Sequence, residues 1–280
     1  MNMSTLRSHF LTHLTNDEIE DYLRRSSVIL VPVGVTEMHG GFPVDCETVI
    51  SEAFTLRIAQ ATDTLTLSGL NFFYAGATAT GRGTIQVSIR QGIDYLGAVA
   101  RDLRRQGFTK QVYFSMHAPA HLTIGPMLRD FCDETDVTAI QIDPLKYLGA
   151  KCRDLLADAG PDWFHDITVG AYQILGRLAD VPLTDAYARP VPQSHAHLED
   201  LFSLSWPSES AGFHCLEKSD HMPTPAILTE ADRDIRAQRG AALIDELVNR
   251  IDMPHLLAKM DELEAYNRAL RERYPHAPGA

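Results

Sequence analysis

Apolar runs alternate with helix-period segments along the first half of the chain, and this alternation constrains the fold more than any other feature. Val28-Ile-Leu-Val-Pro-Val33 has the continuous apolar character of a strand buried on both faces. Pro32 has no amide hydrogen to give a neighbouring strand, which points to the strand's end. Gln111 to Met116 and Val137 to Ile142 read as further strands, and Thr64 to Leu67 and Asn71 to Ala75 as extended segments. Between them, Glu47 to Ala61 reads as a helix. Ile89, Ile93, Leu96, Ala100 and Leu103 line one face of another, stopped by Gly107. Thr15-Asn-Asp-Glu18 is a capping box opening a short helix through Arg25. The expected fold is α/β: a three-layer α/β/α sandwich around a mostly parallel sheet, folded as a single domain over residues 1–280 with a core at about 28–251.

The second half is less regular. Residues 180 to 226 carry Pro182, Pro190, Pro192, Pro207, Pro223 and Pro225, with His195, His197, His214 and His221 among them. This reads as a loop-rich insertion with a short strand near Leu201 to Trp206. A helix capped by Thr229 runs to about Ile251, a last amphipathic helix covers about 254–273, and the tail after Tyr274 is expected to fray.

Composition narrows the partners. A net charge of −12 repels phosphate backbones and anionic lipid, so no nucleic acid and no membrane partner is expected. No window is apolar enough to span a bilayer. The four cysteines are widely spaced without a C-x-x-C pair, and Met1 to Asn16 has no apolar leader, which fits a reducing cytoplasm.

In parallel sheets, sites form at the carboxyl ends of strands, so the loops after Val33 and Met116 come first. The first holds Glu37-Met-His39, with Glu47 opening the next helix. Carboxylates and an imidazole brought together suit a divalent metal such as zinc, manganese or iron. The alternative is a pair of loop residues bonded to backbone and a first-turn helix acid. The second loop holds His117-Ala-Pro-Ala-His121. If that stretch is helical, His121 shares a face with His117; otherwise they are a cap and a surface residue. His165 beside Asp166 could exchange protons near neutral pH or simply lie at a surface. Gly81-Arg-Gly83-Thr84 is an anion-binding turn or a plain one, and His195-Ala-His197 a metal pair or a solvated loop.

The order of these pieces resembles the creatininase (creatinine amidohydrolase) family. Pro32-Val-Gly34-Val-Thr-Glu37-Met-His39-Gly40 is similar to that family's Pro-x-Gly-x-x-Glu-x-His-Gly. Gly83-Thr84-Ile85, Gln106-Gly107-Phe108 through Ser115-Met-His117, and Pro225-Ala226 through Thr229-Glu230 and Gly240 resemble its later elements. The resemblance implies a metal-dependent hydrolase that opens a small polar cyclic substrate, a cyclic amide or related carbonyl compound, in a homo-oligomer with a hexamer as its expected form. It assigns Glu37, Glu47 and His117 to one metal, His39 with a shared Glu47 to part of a second, and His165 and His39 to proton transfer. The departures qualify this. Glu47 replaces an aspartate, Pro119 stands where a second-metal glutamate is found, and His165-Asp166-Ile167-Thr168 lacks the family's glutamate. A single tightly held metal is therefore expected, unless His121 or Asp166 completes a second site. Other implied readings are isomerase or dehydratase chemistry in a specialised pathway, and a non-catalytic binding protein on the same fold.

Overall fold

The computed structural model describes residues 6–188, 193–207 and 209–276, and of Leu145 only the backbone. Four parallel strands form one sheet in the order β2-β1-β3-β4: β1 Val28–Pro32, β2 Leu65–Thr66, β3 Lys110–Phe114 and β4 Ala139–Ile142. In register, Pro32 lies opposite Phe114 and Phe114 opposite Ile142. Every residue of β1 is buried, as its unbroken apolar run requires.

The helices are α1 Asn16–Leu23, α2 Cys46–Thr62, α3 Ile89–Gln106, α4 His121–Thr135, α5 Pro144–Lys151, α6 Arg153–Ala159, α7 Trp163–Ile174, α8 Glu199–Phe202, α9 Glu230–Asn249 and α10 Met253–Arg273. Capping boxes at Thr15, Ser88 and Thr229 start α1, α3 and α9. One apolar cluster packs α2, α7 and α9 with Leu30, Val112 and Phe114 on one sheet face. The other packs Tyr22, Leu96, Leu103 and Phe131 with Ile29, Val31 and Tyr113 on the opposite face. This is the expected α/β/α layering. Among the described residues no helix is long and apolar enough to cross a membrane.

Three local expectations are corrected. Asn71 to Ala75 forms no ladder; after a single bridge between Val33 and Leu70 the chain enters a 3-10 turn at Gly76–Thr80. The short strand expected near Leu201 to Trp206 is absent among the described residues; Leu201 and Phe202 instead close α8, whose first turn carries Glu199 and Asp200. Residues 117–121 are not one helix, a difference that matters for the site. Part of the insertion (189–192 and 208) and the last of the tail (277–280) lie outside the described residues.

Two close approaches fix how the helices seat against the carboxyl edge of the sheet and against each other. A Cβ on Gly34 would lie 2.2 Å from Thr48 Oγ1, so only glycine lets α2 seat against the end of β1. There Thr48 Oγ1 accepts from Val35 N and donates to Val35 O. A Cβ on Gly240 would lie 1.6 Å from the Asp166 carbonyl oxygen, which sets the contact of α7 with α9.

Candidate metal centre

Glu37 follows β1, Glu47 lies in the first turn of α2, and His117 follows β3. All three converge at the carboxyl edge of the sheet. His117 Nδ1 is 2.6 Å from Glu47 Oε2 and 3.1 Å from Glu37 Oε1, and the three side chains are 3%, 8% and 3% exposed. Supports fix each of them. Thr78 Oγ1 donates to Glu37 Oε2. Ser51 Oγ donates to the Glu47 carbonyl and accepts from Met116 N, tying α2 to the end of β3. His117 Nε2 lies 2.8 Å from the Tyr74 carbonyl. A carbonyl only accepts, so Nε2 carries the proton and Nδ1 is the atom that faces the carboxylates.

A second group adjoins the first. His39 is buried at the other side of Glu37, and His221 Nε2 lies 3.3 Å from His39 Nδ1. Glu37, His39 and His221 each offer a ligand atom within 4.8 Å of the others, as do Glu37, Glu47 and His117. The carboxylate common to the two groups is thus Glu37, where the sequence reading made it Glu47.

The electrostatics suit a cation. Burial pushes the Glu47 carboxyl above the ordinary range, and the neighbouring Glu37 charge adds to this against the pull of His117. At Glu37 burial acts the same way, but the hydrogen bond and charge of His117 outweigh it and hold the group below its usual value. Burial also opposes charging of His117, yet the two carboxylates raise it. Two carboxylates and an imidazole that raise and lower one another in this way favour added positive charge, which a divalent cation would supply in place of a proton. Burial and the His221 imidazole lower His39 to about 3, so it is a neutral ligand-type imidazole, and its Nε2 has no hydrogen-bond partner. Two nitrogens on one tetrahedral zinc lie about 3.4 Å apart, given bond lengths near 2.1 Å. The 3.3 Å between His39 Nδ1 and His221 Nε2 is close to that spacing and is equally that of a hydrogen bond between the two rings.

The remaining candidates divide. His121 is exposed, lies 2.9 Å through Nδ1 from the Ala118 carbonyl and 3.5 Å through Nε2 from Glu209, and belongs to neither group. The backbone departs from the helix that the spacing assumed: His117 is extended, Ala118–Ala120 is 3-10, and α4 begins only at His121, so His121 lines the cavities beside the cluster without joining its ligand atoms. Asp166 donates nothing to the centre either; it accepts from Arg236 at 2.5 Å on the far side of α7. His165 is buried, with its Nδ1 3.7 Å from Asp162 Oδ1, and lines a cavity of about 390 Å³ that also exposes Glu47 and His117. The Gly81–Thr84 turn braces the first loop, with Thr84 Oγ1 accepting from Met38 N. His197 is exposed and joins no ligand group among the described residues.

Sequence reasoning missed His221, Thr78 and Asp220. The only local signal for His221 was a histidine in a proline-rich stretch. Asp220 accepts from Ser194 N, Leu216 N and Glu217 N at 2.7, 3.0 and 2.9 Å, which knots the insertion directly before His221.

The creatininase family model, described as creatinine amidohydrolase, matches residues 12–176, more than half of the chain. No curated protein matches the sequence. Among solved structures, creatinine amidohydrolase (creatininase) aligns at 16% identity and a TM-score of 0.60, covering 88% of this chain and 98% of that one. A tryptophan-to-phenylalanine mutant of creatininase aligns at 16% identity with a TM-score of 0.62 over 96% and 100%. A putative creatinine amidohydrolase from Bacteroides fragilis aligns at 14% with a TM-score of 0.59 over 88% and 98%. Creatininase is also known in a manganese form and, as a glutamate-to-glutamine mutant, in a zinc–zinc form. With the family match spanning β1 to β4, the chain belongs to the creatininase family.

Proposed function

We propose that the protein is a metal-dependent hydrolase of the amidohydrolase type that opens a small cyclic amide or related cyclic carbonyl compound. The observation that carries this reading is the buried Glu37–Glu47–His117 cluster, joined through Glu37 to His39 and His221, on the floor of a cavity of about 550 Å³. Carboxylate and imidazole donors suit zinc or manganese, the metals of the creatininase forms. A divalent cation held there supplies Lewis acidity toward a carbonyl and makes a water molecule acidic enough to attack it.

The chain's own residues do the rest. Glu37, Glu47 and His117 hold the first position, and Glu37, His39 and His221 the second. Thr78 and the Tyr74 carbonyl keep Glu37 and His117 oriented. His165, beside the same cluster in the adjoining cavity, is placed to give a proton to the leaving nitrogen or oxygen. Phe42 and Phe164, whose rings lie 6.0 and 6.2 Å from the His165 ring, keep that proton transfer apart from bulk water. A homo-oligomer and a cytoplasmic setting belong to the same proposal; sedimentation showing only a 31.1 kDa monomer at micromolar concentration counts against the first.

The test is a panel of cyclic amides, imides and lactones incubated with zinc- or manganese-loaded protein in water labelled with heavy oxygen. One labelled oxygen in each opened product supports hydrolysis. A product formed without label would replace hydrolysis with isomerisation or elimination, and protein that retains no metal after chelator-free purification would remove the basis of the reading.

A further inference from the structure

The cavity above the cluster has one aromatic wall, built wholly from the insertion. Phe202 and Phe213 pack edge to face with centroids 5.0 Å apart. The His195 ring lies 5.1 Å from Phe213 and 5.9 Å from Phe202, and Trp206 stands at the mouth, 65% exposed. All four line the same cavity as Glu37, Glu47 and His117. None belongs to the two apolar clusters that flank the sheet, so the fold does not need them as core. Aromatic rings that line a cavity beside a cluster of ligand-type side chains offer a flat apolar face to a ring-bearing ligand.

His195 is held in this wall rather than left to swing. Its buried Nδ1 sits 3.7 Å from Asp220 Oδ1 and has no hydrogen-bond partner. Asp220 is itself fixed by the Ser194 hydroxyl at 2.5 Å and by the amides named above. The imidazole is thus presented to the cavity with its carboxylate behind it.

We propose that the substrate has two parts: a carbonyl group that reaches the Glu37–Glu47–His117 cluster, and a flat unsaturated ring that stacks on the Phe202–Phe213–Trp206 wall with His195 as its polar edge partner. This rests on the hydrolase reading of the cluster and narrows its substrate class from a lone small ring to a carbonyl compound bearing a second ring.

Two hydroxamates test it, since both present the same metal-seeking head. Acetohydroxamate lacks a ring and benzohydroxamate carries one. Calorimetric titration of zinc-loaded protein should give benzohydroxamate an affinity on the order of tenfold higher, from ring burial and stacking. Trp206→Ala and Phe202→Leu should each remove most of that advantage while leaving acetohydroxamate affinity and zinc content unchanged. The chain has two tryptophans, so Trp163→Phe leaves Trp206 as the sole indole, and its emission should change with benzohydroxamate and not with acetohydroxamate. Equal affinities in the unaltered protein, or an advantage that survives both wall variants, overturns the two-part substrate and leaves the metal reading standing. Binding of neither hydroxamate to zinc-loaded protein overturns both.

Discussion

His221 Nε2 lies 3.3 Å from His39 Nδ1 although 182 residues separate them in the chain. Burial leaves both imidazoles harder to charge than usual, which favours the unprotonated form that ligates a metal. Together with Glu37 the pair forms a second candidate ligand group, to which the sequence reading had contributed His39 but not His221. Chelator-free protein is therefore expected to hold two equivalents of zinc or manganese, and His221→Ala one. His121→Ala should keep both, because that imidazole points to Glu209. Elemental analysis decides; loss of an equivalent in His121→Ala and not in His221→Ala would reverse the assignment.

Removal of a ligand common to both groups should be more severe. Glu37→Gln takes an anionic donor from each, whereas His117→Ala takes one from a single group. Each change is expected to weaken metal binding by at least about 10- to 100-fold, the range seen even for outer supports, with Glu37→Gln affecting both equivalents. Competition against a chromophoric chelator reads the two affinities, and full retention in both variants would dismiss the centre.

The contact of α7 with α9 tolerates no side chain at one point. Gly240→Ala would drive a methyl into the Asp166 backbone and is expected to cost about 3 kcal/mol in urea unfolding. Gly149→Ala, in α5 with nothing within 4 Å of the added carbon, should instead be neutral or stabilising by about 0.5 kcal/mol. Similar values for the two would mean that the helices separate at little cost.

Acid should loosen the insertion. Burial alone would raise Asp220, but the Ser194 hydroxyl and the amides of Glu217, Ser194 and Leu216 outweigh it and hold the carboxyl down at about 2, against an ordinary 3.8. A depressed carboxyl contributes stability that is fully present above its unfolded value and disappears as pH falls through the folded one. Limited proteolysis around residues 193–226 should therefore accelerate between about pH 4 and pH 2. Asp220→Asn should raise cleavage at neutral pH and flatten that dependence; an unchanged acid profile would show that Asp220 does not secure the segment.

The scaffold was legible because its signals are local. The β1 run, the capping box at Thr15, the cap at Thr229 and the apolar face of α3 each announce themselves within a few residues, whereas the box at Ser88 was not read. Glu37, His39, Glu47 and His117 were readable for a related reason, since each follows a strand or opens a helix in a fixed order. His121 was read as a ligand because spacing counts residues and not turns: an extended His117 and a 3-10 segment through Pro119 leave the next histidine on the cavity lining and outside the ligand groups. His221 was illegible because it has no periodic neighbourhood. Its position depends on Asp220 accepting from three separate amides, a tertiary arrangement that no short window encodes.

The second ligand group spans two kinds of chain. Glu37 and His39 stand on the sheet-bound loop, whereas His221 comes from the same insertion that carries Phe202, Trp206 and Phe213. An ion gripped by both halves acts as a rivet between scaffold and insertion, and by linkage it strengthens the ordered arrangement by the free energy of its own binding. On the two-part substrate proposed above, wall and ligand group would be thermodynamically linked: a ligand that needs the ordered wall would bind metal-loaded protein more tightly than stripped protein, and would raise the ion's affinity by the same factor.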